Sequence, residues 1–86
     1  MNKDVVEKYE ELRTSINDNI KTIRHLLHQA DMLNSLVGGL SDEDANKQEL
    51  ENSIKELYGI INSLIKQTNA LFKQFAEFAG TVKVST

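Results

Sequence analysis

The sequence predicts an all-α fold: an antiparallel two-helix hairpin with heptad packing that completes a four-helix bundle by association. Three observations carry this expectation. Apolar residues recur at alternating spacings of four and three along nearly the whole chain. A glycine pair, Gly38-Gly39, divides the pattern into two segments of similar length. None of the 86 residues is proline, so no position loses its helical N–H or clashes with the turn before it.

The first helix is expected over about 3–37. Its apolar seam runs through Val5, Tyr9, Leu12, Ile16, Asn19, Ile23, Leu26, Ala30, Leu33, Val37 and Leu40. Asn19 alone breaks it. A polar residue at such a position fixes register and partner number in coiled coils, which makes Asn19 the candidate register residue.

The turn is expected over 38–41. Glycine ends helices readily because it tolerates a positive φ. Ser41 reads as an N-cap, with Leu40 as the apolar residue before it and Asp42, Glu43 and Asp44 facing the positive end of the next helix dipole. A stop and a start this close together demand that the chain fold back on itself.

The second helix is expected over about 42–79. Leu50, Ile54, Leu57, Ile61, Leu64, Thr68, Leu71, Phe75, Phe78 and Val82 form its seam, broken only by Thr68. Gly80 reads as its end, leaving 80–86 as a short tail. The whole chain, 1–86, then makes a single hairpin domain.

A further column decides what the hairpin needs. Leaving out the two sites that flank the turn, the residues one past each second seam site are Val6, Arg13, Ile20, Leu27 and Asn34, then Tyr58, Ile65, Phe72 and Ala79, and seven of these nine are apolar. On the other flank only Leu36 and Ile60 are apolar among ten. Each stripe is therefore widened on one side, as in bundles of more than two helices. Ile20, Leu27, Tyr58, Ile65 and Phe72 become candidate interface residues. Gly59 joins them because glycine inside a helix costs about 1 kcal/mol against alanine, and close approach of another backbone would explain it.

Composition excludes several function classes. Net charge is −3, with residues 1–40 carrying −1, 41–58 carrying −4 and 59–86 carrying +2. No basic face suits a nucleic-acid backbone. There is no cysteine, hence no thiolate nucleophile, zinc thiolate or disulfide. His25 and His28 share a polar face with Asp31, too few ligands for tetrahedral zinc, so no metal is expected. Glu10 and Glu11 fall on a solvated face, and no glycine-rich phosphate loop or nucleophile–base set occurs. The reading is a chain without catalysis, cofactor or membrane insertion. The first residues show no secretory apolar segment, which predicts a cytoplasmic location or export by a route independent of a signal peptide.

Leu36-Val37-Gly38 stands at the turn between two long helices in a small acidic chain. This arrangement resembles the Trp-x-Gly or Leu-x-Gly helical-hairpin proteins of bacterial type VII secretion. The resemblance implies a hairpin that binds a partner, secreted alone or escorting a larger protein. No Tyr-x-x-x-Asp/Glu pattern of the kind that ends those proteins follows Phe72-Lys73-Gln74-Phe75. Type III needle subunits share the length but carry prolines at the turn. The leading expectation is a non-catalytic protein–protein interaction module that forms a bundle with itself as a homodimer or with another helical protein. A small helical inhibitor, such as a phage-encoded one, is the remaining class.

Overall fold

The computed structural model describes the backbone of residues 3–85 and the side chains of residues 3–82. Two α-helices account for nearly all of it: α1, Lys3–Gly38, and α2, Ala45–Ser85. They pack against each other along their length in a rod of 65 × 15 × 13 Å. The start of α1 meets the end of α2, where the rings of Tyr9 and Phe75 lie 5.6 Å apart and tilted by 50°. The pair is therefore antiparallel.

Burial follows the predicted seam closely. Every seam position except Tyr9 is buried or half-buried, and almost everything outside the seam is exposed. Leu12, Ile16, Ala30, Ile54 and Ile61 form its driest part. Ala30 is 0 % exposed, a small side chain enclosed where its neighbours are large. Thr68 is 5 % exposed, and its hydroxyl donates to the Leu64 carbonyl at 2.7 Å, so a polar group inside the seam stays satisfied.

The helix ends differ from the sequence expectation at three points. First, neither Gly38 nor Gly39 adopts a positive φ. The end of α1 tightens instead, with Gly39 N–H bonded to the Leu36 carbonyl and Leu40 N–H to the Val37 carbonyl, both at 3.1 Å. These short-range bonds absorb terminal carbonyls without a left-handed residue. Second, the cap of α2 is Asp44 rather than Ser41. The backbone across 41–44 closes a turn of its own, Asp44 N–H to the Ser41 carbonyl at 3.0 Å, which postpones the helix to Ala45. The Asp44 carboxylate then accepts from Asn46 N–H at 2.9 Å. The connection thus covers 39–44 rather than 38–41.

Third, α2 does not stop at Gly80. It continues to Ser85, so no tail begins at 80; Thr86 lies outside the described residues. The reason is a balance of small terms. A helical glycine costs about 1 kcal/mol. Val82 continues the seam half-buried, and the Thr81 hydroxyl bonds back to the Glu77 carbonyl at 2.9 Å. That combination carries the helix through.

Two consequences are measurable. A methyl built on Gly59 or Gly80 meets nothing within 4 Å, so Gly59→Ala and Gly80→Ala should each stabilise by about 0.5–1 kcal/mol through the unfolded chain. Thermal melts check it, and a loss of stability at Gly80 would mean the helix does not run through that point. Ile61 is 3 % exposed, so Ile61→Asp sets a bare carboxylate in the driest part of the seam at a cost of several kcal/mol. Most of the ellipticity at 222 nm should be lost at 25 °C.

Candidate interaction surface

A helix packed on a single neighbour buries only a stripe, and apolar residues beside that stripe stay in water. That is the situation of the widened columns. Val6 is 38 % exposed, Leu27 42 %, Tyr58 40 %, Ile65 40 % and Phe72 49 %, while Ile20 is half-buried. The folded hairpin covers the seam and leaves this flank open.

The two columns lie on the same side of the hairpin. Asn34 Nδ2 on α1 donates to Tyr58 Oη on α2 at 3.3 Å, and each belongs to its helix's widened column. In an antiparallel pair the positions that follow the second seam site flank the same edge. Val6, Ile20 and Leu27 from α1 therefore join Tyr58, Ile65 and Phe72 from α2 in one apolar ribbon. The Asn34–Tyr58 link escaped sequence reasoning because its ends are 24 residues apart. Counting outward from the connection would not have found it, because Asn34 lies five residues before residue 39 and Tyr58 fourteen after residue 44.

Gly59 does not belong to the ribbon. One residue past Tyr58 on a helix of 3.6 residues per turn, it points about 100° further round, toward open space. The shallow depression beside it is lined by Glu56, Ile60, Ser63, Leu64 and Gln67, the notch left by the missing side chain. Leu36, Ile60 and Met32, 50–58 % exposed, lie outside the seam and the ribbon. Asn19 sits half-buried within the seam. The Tyr9–Phe75 and Asn34–Tyr58 contacts bracket the register and place the α2 residue level with Asn19 between 65 and 73, an interval that contains Thr68.

The remaining polar groups have local explanations. His25 Nε2 lies 3.2 Å from Gln29 Nε2 on an exposed face. No group of three or more His, Cys, Asp or Glu suited to a metal occurs among the described residues. No described helix is long and apolar enough to cross a membrane. The acidic run at the turn is divided between tasks: Asp44 caps α2, and Asp42 pairs with Lys47. The Lys47 hydrogen bond and charge hold the Asp42 carboxyl below the ordinary carboxylate range. The same hydrogen bond raises the Lys47 ammonium, against a smaller opposing effect of desolvation.

No protein-family description, curated protein or solved structure matches this chain.

The ion pair at the turn has a defined pH signature. A carboxyl whose folded pKa is lowered stabilises above its unfolded value and loses that contribution as pH falls through the folded one. Asp42 should therefore titrate below 3.8 in carboxyl-detected NMR. Lys47→Met should move it upward. An unchanged midpoint would show that the pair does not form in solution.

Proposed function

We propose that this chain is a non-catalytic helical assembly module that completes a bundle by burying its apolar ribbon against further helices, from a second copy or from another helical protein. One observation carries the reading. With the hairpin closed, Leu27, Tyr58, Ile65 and Phe72 still stand 40–49 % exposed in one file along a single edge. Contiguous apolar surface of this kind marks an interaction site rather than ordinary surface scatter. Aromatic side chains, here Tyr58 and Phe72, are the residues that most often anchor such contacts.

The lack of enclosure supports the same reading. The depressions described among residues 3–82, such as the one beside Gly59, are open and shallow rather than the concave kind that buries a small substrate. A partner helix needs only a groove between parallel ridges, which a hairpin edge offers along its length.

The double variant Ile65→Ser, Phe72→Ser tests it. Neither residue lies in the hairpin seam, so the helical signal should persist. Each removed side chain is worth roughly 1.5–3 kcal/mol where it is buried by a partner. Light scattering should then give the 9.7 kDa mass of a single chain, and the melting temperature should stop rising with concentration. A variant that keeps the wild-type assembly and merely melts earlier would overturn the proposal.

A further inference from the structure

We infer that the ribbon is occupied by a second copy of this chain lying head to tail, each turn beside the open end of the other hairpin. The inference rests on the assembly reading above and names its partner and direction. Two independent features point to it.

The first is the order of side chains along the ribbon. Counting from Tyr9–Phe75 at one end and Asn34–Tyr58 at the other sets Ile65 on α2 level with the stretch between Ile20 and Leu27 on α1. A two-fold axis crossing the rod at that level turns the ribbon onto itself. Ile65 meets Ile65 of the copy. Tyr58 and Phe72, each seven residues from Ile65, exchange places, so aromatic meets aromatic. On α1, Ile20 falls opposite Leu27 of the copy, and Arg13, the charge within that column, falls opposite Asn34. A self-complementary patch of this kind is what a closed two-fold dimer requires.

The second is the distribution of charge. The half of the hairpin on the turn side of that axis, residues 24–65, carries −4, and the rest of the chain carries +1. Helices in a bundle pack about 8–10 Å apart, within or near the Debye length of about 8 Å at physiological ionic strength. Two copies side by side in the same direction would press −4 against −4. Reversing one sets −4 beside +1 at both ends. The chain supplies its own complement.

The absence of native cysteine makes the direction directly measurable. A nitroxide on Ser41→Cys, an exposed turn position, labels one site per chain. Light scattering on the labelled chain should give twice the 9.7 kDa mass of one copy. Pulsed electron-spin distance measurement on that dimer should give roughly 50 Å, since Ser41 lies some 17 residues beyond the axis at 1.5 Å each. A dimer with a distance under about 25 Å would place the turns together and overturn the head-to-tail arrangement while leaving self-assembly intact. A single-chain mass at all concentrations would overturn the second copy as occupant. Failure of the assembly reading itself looks different: the dimer would survive Ile65→Ser, Phe72→Ser.

Discussion

One contact surface carries this molecule. The seam between α1 and α2 shields most of the large apolar side chains that lie on it from water, and no second layer among the described residues shares the task. In a rod only 15 × 13 Å in cross-section, a side chain on the seam has a neighbour on one side and solvent close on the other. Hence no large side chain is fully buried among the described residues, and only small Ala30 is wholly enclosed. Helices within proteins draw most of their stability from such packing rather than from backbone propensity. A hairpin of this size is therefore poised to gain from any further helix that covers its flank.

The seam also explains where the helices end. Gly80 would weaken an isolated helix, yet α2 runs past it because Val82 still has α1 to lean on. At the opposite end the chain must reverse direction within the six residues 39–44, and there local hydrogen bonds decide. The acids concentrate at this reversal, Asp44 on the α2 backbone and Asp42 on Lys47. Using them there leaves the turn end strongly negative. Cap chemistry and the charge asymmetry of the rod share one origin.

The proposed function rests on what the seam leaves uncovered. Tyr58 shows the division of labour: its hydroxyl accepts from Asn34 and ties the helices together, while its ring faces outward with Ile65 and Phe72. An amphipathic aromatic suits this position, since one end is satisfied in the hairpin and the other can be covered. Asn19 and Thr68, the two polar breaks of the seam, suit register control, because a slip along the seam would set each amide or hydroxyl against an apolar neighbour.

The amino-acid sequence by itself determined the fold class, the seam and the open flank. Those depend on a periodicity of 3.5 residues sustained over both segments, and a long repeat leaves no competing way to bury the same side chains. It also located the reversal of the chain near Gly38-Gly39. Only the tertiary structure decided how that reversal is made, which acid caps α2, and that the helix continues beyond Gly80. Several capping schemes are open to Ser41-Asp42-Glu43-Asp44 and differ by about 1 kcal/mol, so local sequence cannot rank them. The same holds for the two columns. Their apolar character is written in each helix separately, but their union into one ribbon depends on the register across the turn. Contacts such as Asn34–Tyr58 set that register between residues far apart in the chain.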